Sequence, residues 1–441
     1  MSKRSILPLL LSLCLLCLPQ ASHAKPVTEP PDRIILMIAD GLGFAQVAAS
    51  GMYRFGEPGT QCYEQWPVQL AMSTYPHGGS YDPQLMWSDP DWQRKGATDS
   101  AASATAMATG EKSINGAISE DPWGNALQTV VEAAAQHGMR TGVVSTVPFS
   151  HATPACFGAH VQSRSEYQEI ARQMIWESPL DLIIGCGHPW FDNAGKRKPE
   201  ADYKYISESD WLALQDGVAG LAMHNGGKPG WSFIDELQDF QQLATEGSEQ
   251  RIFGLPRVWG TLQAKRPHPA DNPYQSPLNE NLPDLATLSL AALNTLENDN
   301  GFFLMIEGGA VDWAAHDRDE ARIIEEMQDF NYAVDVVSSW IEAGPGWENT
   351  LLIVTGDHEC GHLCRDGSDL LDHMPGNRGA GVMPEMECSY SSHTNQLIPL
   401  YARGHWCQSL PLRIAGEDPL HGAWIDNAVL GWQLHQVICG N

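Results

Sequence analysis

The chain has 441 residues, with 54 acidic and 26 basic side chains and a formal net charge of −28 at pH 7. Hydrophobic residues make up 43% of it, which supplies enough apolar surface for a folded core and excludes a disordered chain. The acid excess argues against a nucleic acid or an anionic membrane as partner, because both need a basic face. An anionic substrate would need some other source of attraction than the bulk side-chain charge.

The first residues predict a signal peptide over residues 1–24. Lys3 and Arg4 precede an apolar run at residues 6–18, and small residues up to Ala24 suit a signal peptidase. No later stretch reaches the roughly 18 apolar residues of a membrane span. We therefore expect an exported protein, periplasmic or secreted, without a membrane anchor.

Six short apolar runs have the pattern of strands buried on both faces. They cover residues 33–39, 142–146, 181–185, 302–306, 350–355 and 397–401. Helix-like segments lie between them, at residues 126–137, 165–175 and 319–343. This alternation predicts an α/β fold with a mostly parallel central sheet and helices on both faces.

Three loop-rich stretches, at residues 53–95, 190–283 and 359–392, fit the alternation poorly. We interpret them as insertions on a single domain that covers residues 25–441, although length alone would suggest about three domains. The last stretch holds Cys360, Cys364 and Cys388, which could pair locally in an exported protein. The alternative is a small metal site, which the spacing of the three cysteines disfavours.

Acidic residues and histidines follow three of the predicted strands. Asp40 comes directly after the first strand, Glu307 after the strand at 302–306, and Asp357 with His358 after the strand at 350–355. One acid in such a place is ordinary turn chemistry. Because ligands gather at the carboxyl ends of parallel strands, several acids from separate strands predict a metal site there.

Asp312 and His316 stand four residues apart, which on a helix puts both on one face. Oxygen and nitrogen ligands without cysteine suit zinc or a harder divalent ion. These two residues and one further histidine would form a zinc site with an open position, and Asp40, Asp357 and His358 would form a second. Two such ions can hold the attacking and leaving oxygens of an in-line displacement.

The segment from Ala97 to Ala106 is rich in small residues and predicts a tightly packed helix start. The first amides of a helix are free to bind an anion, and a nearby metal ion would lower the pKa of the Ser100 hydroxyl and make it a nucleophile. In the alternative interpretation, Asp99 or Ser100 is simply the N-cap of the helix.

Taken together, these segments resemble the alkaline phosphatase family. They occur in the family's order between about residues 33 and 403, and the Asp-Ser-Ala-Ala segment is highly specific. The motifs that carry the resemblance are Ile38-Ala-Asp-Gly-Leu-Gly43, Thr98-Asp-Ser-Ala-Ala-Ser-Ala-Thr105, His151-Ala-Thr-Pro-Ala155 with Arg164, Glu307-Gly-Gly-Ala-Val-Asp312 with His316, Thr355-Gly-Asp-His358, and His393-Thr394.

The resemblance implies an α/β alkaline-phosphatase-like fold and a role for each matching residue. Ser100 would attack phosphorus and become a phosphoserine, and Arg164 would bind two phosphate oxygens. The expected ligands are Asp312, His316 and His393 for a first zinc ion, Asp40, Asp357 and His358 for a second, and Asp40, Thr153 and Glu307 for a magnesium ion. Three divalent ions, four carboxylates and Arg164 would together carry a charge of about +3, which attracts a phosphate dianion even in an acidic chain.

Two positions depart from the best-known pattern of the family. His151 stands where the enteric bacterial enzymes carry an aspartate, and Trp313 stands where they carry a lysine near the phosphate. We expect both side chains to lie just behind the metal ligands, which leaves the identity of the third metal open.

The expected activity is hydrolysis of small phosphate monoesters at alkaline pH, by a homodimer as is common in the family. One alternative is a phosphodiesterase or sulfatase of the same superfamily. Another is a zinc- or phosphate-binding protein without catalysis.

Overall fold

The computed structural model describes residues 30–89, 91–220, 228–365 and 374–440. The predicted signal peptide, residues 1–24, lies outside the described residues. The strands are β1 Arg33–Ala39, β2 Val68–Ser73, β3 Arg140–Pro148, β4 Leu182–Cys186, β5 Trp231–Ile234, β6 Arg251–Gly254, β7 Phe302–Gly308, β8 Thr350–Gly356, β9 Glu359–Cys360, β10 Leu363–Cys364, β11 Glu387–Cys388, β12 His393–Thr394, β13 Ile398–Gly404, β14 Gly416–Asp418 and β15 Gly422–Asp426. The α-helices are α1 Phe44–Phe55, α2 Pro83–Ser88, α3 Ser100–Thr109, α4 Val130–Gln136, α5 Ala152–Ala155, α6 Tyr167–Trp176, α7 Glu208–Gln215, α8 Leu237–Glu246, α9 Leu285–Leu296, α10 Ala310–Asp317, α11 Glu320–Ala343 and α12 Asn427–Cys439.

Within the described ranges, eleven strands form one central sheet in the order β14-β15-β2-β13-β8-β1-β7-β3-β4-β6-β5. The strands from β8 to β5 run parallel to one another, and β13 and β14 run against them. All six apolar runs of the sequence are strands of this sheet. The three predicted helices are α4, α6 and α11, and the predicted α/β fold with a mostly parallel sheet is confirmed.

The central strand β1 separates two apolar layers. Ile34, Leu36 and Ile38 pack with helices α3, α4, α6 and α12 on one face of the sheet. Ile35 and Met37 pack with α8, α9 and α11 on the other face. Both faces of the strand are therefore covered, as its continuous apolar pattern predicts. None of the described helices is long and apolar enough to cross a membrane.

The register of the central strands aligns their carboxyl ends. Ala39 of β1 lies opposite Gly308 of β7 on one side and Gly356 of β8 on the other. On the next strand, Ser145 of β3 lies opposite Glu307. Residues that follow these strands in sequence therefore meet at one edge of the sheet.

Two of the three loop-rich stretches add strands to the sheet. The stretch 53–95 contributes β2, and the stretch 190–283 contributes β5 and β6 with helices α7 and α8. In β2, Gln69 is exposed and Leu70 half-buried, so this strand lacks the continuous apolar run of the central strands. The stretch 359–392 forms β9, β10 and β11, short strands outside the central sheet. The single domain over residues 25–441 stays a prediction.

Candidate active site

A first group of metal-ligating atoms comes from α10 and β12. The Oδ1 atom of Asp312 lies 3.3 Å from Nε2 of His316 and 3.3 Å from Nε2 of His393, and the two Nε2 atoms are 3.1 Å apart. Ligands of one tetrahedral zinc ion, at about 2.0–2.1 Å from it, stand about 3.3 Å from each other. Oδ1 of Asp312 is buried and accepts no hydrogen bond, so the group has the spacing and the free atom that a zinc ion requires.

Backbone carbonyls orient both histidines of this group. Nδ1 of His316 donates to the carbonyl of Ser391, and Nδ1 of His393 donates to the carbonyl of Thr98, each over 2.8 Å. Because a carbonyl can only accept, Nδ1 carries the hydrogen in both rings, and Nε2 faces the group. Burial disfavours the charged form of His393, but the carboxylate of Asp312, 3.3 Å from its Nε2, outweighs burial and raises the pKa of His393 to about 9. A bound cation would take the place of that proton.

A second group lies beside the first, at the ends of β1 and β8. Nε2 of His358 is 3.5 Å from Oδ1 of Asp40 and 3.2 Å from Oδ2 of Asp357, and all three side chains are fully buried. Oδ1 of Asp40 and Oδ2 of Asp357 have no hydrogen-bond partner. The amide of Gly41 donates to the other oxygen of Asp357 over 3.2 Å, which fixes the direction of this carboxylate.

Ser100 faces the second group from the start of α3. Its Oγ is 3.1 Å from Nε2 of His358 and 3.5 Å from Oδ2 of Asp40. The N-cap of α3 is Asp99, whose side chain accepts a hydrogen bond from the amide of Ala102 over 2.9 Å. The capping interpretation therefore applies to Asp99, and Ser100 is left free to point at the metal ligands.

A third set of oxygens lies behind Asp40. Oε1 of Glu307 and Oγ1 of Thr153 are buried without a hydrogen-bond partner, while Ser145 donates to the other oxygen of Glu307. Buried polar atoms are almost always paired, and an unpaired set of hard oxygens is what a magnesium ion binds. The residues present therefore fit a third metal ion at this position.

Three of the buried carboxyl groups in this cluster have raised pKa values. Burial raises the pKa of Asp40 well above its usual range, and the charges of Asp357, Asp312 and Glu307 raise it further. Burial, with the nearby acids, also raises the pKa of Glu307 to about 8 and that of Asp357 to about 6. Divalent cations would stabilise the ionised carboxylates that burial disfavours.

Arg164 approaches the cluster from the side of α5. One guanidinium nitrogen donates to Oδ2 of Asp99 over 3.0 Å, and another lies 3.5 Å from Nε2 of His151. Asp99 thus holds Arg164 as well as capping α3. Burial and the charge of Arg164 lower the pKa of His151 to about 3, so His151 is neutral at physiological pH. The rings of His151 and Trp313 lie 5.4 Å apart, which places both predicted neighbours of the metal ligands together.

The structure thus brings together all the candidate site residues of the sequence, and it adds one that was left out. Cys360 belongs to the same compact group of possible ligands as Asp312, His316 and His393. It lies opposite His393 in the pairing of β9 with β12, a contact between segments that the sequence does not reveal. The role of Asp99 in holding Arg164 was also missed, because it depends on a loop 65 residues away.

Comparison with known proteins gives the same family along most of the chain. A family model described as alkaline phosphatase matches residues 32–402. Alkaline phosphatase 4 of Bacillus subtilis is 30% identical over 355 residues, which cover 78% of this chain and 64% of that protein. The chain therefore spans less than two thirds of the length of this relative.

Solved structures extend the comparison to the fold. The alkaline phosphatase of the Antarctic bacterium TAB5 superposes with a TM-score of 0.64 and 26% identity, over 94% of this chain and 100% of that one. A TAB5 variant with Mg bound in its M3 site superposes with a TM-score of 0.63 and 26% identity, over 94% and 99%. The family match, the relatives and the shared fold agree with two ligand groups beside a serine, and the chain belongs to the alkaline phosphatase family.

Proposed function

We propose that this protein hydrolyses phosphate monoesters to an alcohol and inorganic phosphate at alkaline pH, through a phosphoserine on Ser100. The observation that carries the proposal is the position of Oγ of Ser100, 3.1 Å from Nε2 of His358 and 3.5 Å from a carboxylate oxygen of Asp40. A cation bound beside this hydroxyl would lower its pKa and make it a strong nucleophile, and the surrounding acids and histidines have the donor atoms to hold one.

Two zinc ions and one magnesium ion are the proposed cofactors. Asp312, His316 and His393 would hold the first zinc ion, and Asp40, Asp357 and His358 the second. Asp40, Thr153 and Glu307 would hold magnesium. This assignment is supported by a TAB5 variant, with a histidine replaced by glutamate, that binds Mg in its M3 site. When bound, the cations would supply positive charge that lowers the pKa of the serine hydroxyl and stabilises the leaving oxygen.

The chain's own residues would bind and attack the ester. The planar guanidinium of Arg164 can hold two phosphate oxygens, because Asp99 fixes one of its edges and leaves donors free. Oγ of Ser100 then forms a bond to phosphorus as the bond to the leaving alcohol oxygen breaks. In the second half of the reaction, the oxygen of a water molecule bonds to phosphorus as the bond between Oγ and phosphorus breaks, a proton of that water returns to Oγ, and inorganic phosphate is released.

An alkaline optimum is supported by the ligands. Metal binding requires the ionised form of Glu307 and the neutral form of His393, whose pKa values without a cation are raised to about 8 and about 9. Raising the pH removes the protons that compete with the metal ions. Occupancy of the metal sites, and with it activity, should therefore increase toward alkaline pH.

We also propose that the protein is exported, to the periplasm or the medium, and acts as a homodimer on small phosphate monoesters. Export is supported by the signal-peptide pattern of residues 1–24. The dimer is supported by the resemblance to the family.

The test is hydrolysis of an aryl phosphate monoester beside its diester and sulfate analogues, with and without a chelator. We expect strong preference for the monoester, loss of activity with chelator, and loss of activity in Ser100→Ala. Preference for the diester or the sulfate would assign the protein to another branch of the superfamily. Zinc binding without hydrolysis of any ester would indicate a protein that only binds metal or phosphate.

A further inference from the structure

A group of aromatic rings extends outward from Arg164. The ring of His151, next to that guanidinium, lies parallel to the ring of Tyr167, with centroids 6.4 Å apart and planes within 13°. Tyr167 is followed by Tyr205 at 5.1 Å and then by Trp259, a further 5.1 Å away. These residues form a continuous aromatic wall beside the position where the phosphate would bind.

The ammonium group of Lys204 stands over this wall. Its Nζ lies 5.2 Å from the ring centroid of Tyr167, 4.9 Å from that of Tyr205 and 5.4 Å from that of Trp259. Lys204 is exposed, and in the described part of the chain its ammonium group forms no ion pair. The nearby carboxylate of Asp202 accepts a hydrogen bond from the backbone amide of Lys204 over 3.1 Å and lies 3.9 Å from Nζ of Lys198. Its charge is thus held over three rings and open to solvent.

Two further lysines lie near Trp259 and Trp313, and each is close to an acid. Nζ of Lys198 is 5.8 Å from the ring of Trp259 and 3.9 Å from a carboxylate oxygen of Asp202. Lys265, which lies 5.8 Å from the ring of Trp313, pairs with Asp317. Among the described lysines that lie over these rings, Lys204 is the one whose ammonium group has no ion pair with an acid.

The charge of Lys204 matters because the chain as a whole is strongly acidic. The protein carries a net charge of −28 and has nine lysines, so its bulk charge repels a substrate that carries more than one anionic group. A cation on the rim offsets that repulsion locally. Of the three rings, Tyr205 is buried, whereas Tyr167 and Trp259 are partly exposed and offer apolar surface against which another ring can pack.

We propose that Lys204 and the aromatic wall bind the leaving group of the substrate, and that they favour a planar aromatic leaving group with a second negative charge. The inference rests on the proposed phosphomonoesterase function. It assigns a specificity-determining role to Lys204, which contacts the leaving group and none of the reacting atoms. The class of substrate is an aromatic phosphate monoester that also carries a carboxylate or a further phosphate.

The experiment compares two esters of equal size, 4-carboxyphenyl phosphate and 4-carbamoylphenyl phosphate, which differ by one negative charge. The ratio of their kcat/KM values is measured in the wild type, in Lys204→Gln and in Lys204→Arg. Because every protein is given the same two esters, the intrinsic reactivities of the leaving groups cancel when the ratios are compared between proteins. The control is Arg413→Gln, which removes another exposed cation that lies over a ring, 4.4 Å from that of Trp432. Arg413 follows β13 at the end of the sheet away from the site.

We expect Lys204→Gln to lower the preference for the carboxylate ester about threefold, through KM, as for one solvent-exposed ion pair. The arginine variant and the control should keep the wild-type ratio. Added salt should reduce the difference in this ratio between the wild type and Lys204→Gln. An unchanged ratio in Lys204→Gln, or the same shift in Arg413→Gln, would overturn this inference and leave the proposed function standing. Failure of the wild type to hydrolyse either ester would overturn the proposed function itself, and the inference with it.

Discussion

Replacing Glu307 by glutamine should change the stability of this protein in opposite directions, depending on whether its metal sites are filled. Glu307 is fully buried, one of its oxygens has no hydrogen-bond partner, and its pKa is raised from 4.5 to about 8, mainly by burial. Without metal, the carboxyl group either takes up a proton or stays ionised in a buried place, and both lower the free energy of unfolding above pH 4.5. A neutral amide avoids this loss of stability. With metal, the carboxylate is a ligand and the amide is a poor substitute.

The size of the effect follows from the pKa shift. An acid whose pKa rises on folding destabilises the folded chain at every pH above its unfolded pKa. Stability of the chelated protein should therefore fall as the pH rises from about 4.5 and level off above about 8. At pH 7, Glu307 therefore lowers the free energy of unfolding of the chelated protein by about 3 kcal/mol, at about 1.4 kcal/mol per pH unit. In saturating metal, loss of a site filled 100-fold above its Kd would instead cost about 2.7 kcal/mol.

The assay is urea unfolding of wild type and Glu307→Gln, in chelator and in zinc with magnesium, across pH 5 to 9. The matched control is Glu326→Gln. Glu326 is also buried with an unpartnered oxygen and a raised pKa, but it lies on α11 outside the ligand groups. The control should change the free energy of unfolding equally in both buffers. If Glu307→Gln also changes the free energy of unfolding in the same direction in both buffers, Glu307 is not a metal ligand.

Three further substitutions test other parts of the site. Arg164→Ala should lower kcat/KM for a monoester about 100-fold, and Arg164→Lys should recover part of it because it restores the charge without the planar fork; equal activity of both variants and the wild type would remove Arg164 from phosphate binding. Asp99→Ala should lower the free energy of unfolding by about 2 kcal/mol, since it removes a helix cap and an ion pair, against about 1 kcal/mol for Asp82→Ala, which removes only the cap of α2. Gly41→Ala should weaken zinc binding, as measured by competition with a chromogenic chelator. Gly41 has φ of 86°, and a Cβ there would lie 2.8 Å from Cα of Asp312; zinc affinity equal to that of the wild type would contradict this.

The sequence predicted the central sheet because its strands are apolar on both faces and short. The same rule failed for β2, where exposed Gln69 breaks the run, and for β5 and β6, which lie in a stretch that reads as loops. β5 is an edge strand and β2 has a half-exposed face, so neither has a continuous apolar run, whereas β6 is buried but only 4 residues long. Membership of the sheet for such strands depends on neighbours far away in the chain.

The site shows a similar division between what sequence reveals and what only the fold reveals. Acids at strand ends pointed to metal ligands, because parallel strands bring their carboxyl ends together. The carbonyls of Thr98 and Ser391, which orient His393 and His316, were not predictable, since every residue has a carbonyl. The position of Lys204 over rings from residues 167, 205 and 259 also requires the folded chain.

The net charge of the chain has a limited bearing on its substrate. Four carboxylates, those of Asp40, Glu307, Asp312 and Asp357, lie buried among the two ligand groups and the third set of oxygens. Under the proposed function, these acids serve to concentrate positive charge where the phosphate binds. The remaining acid excess then bears on which leaving groups the protein accepts, and Lys204 is the residue that would offset it.

The central claim is that Ser100 attacks phosphorus with the help of bound metal ions. The most direct measurement is acid quenching of the metal-loaded protein during turnover of a phosphate monoester, followed by peptide mass spectrometry to locate the phosphate. The account predicts a phosphate adduct on Ser100 that is absent after chelation and absent in Ser100→Ala, together with loss of hydrolysis in both. Hydrolysis at the wild-type rate in Ser100→Ala, or an adduct on another residue, would contradict it.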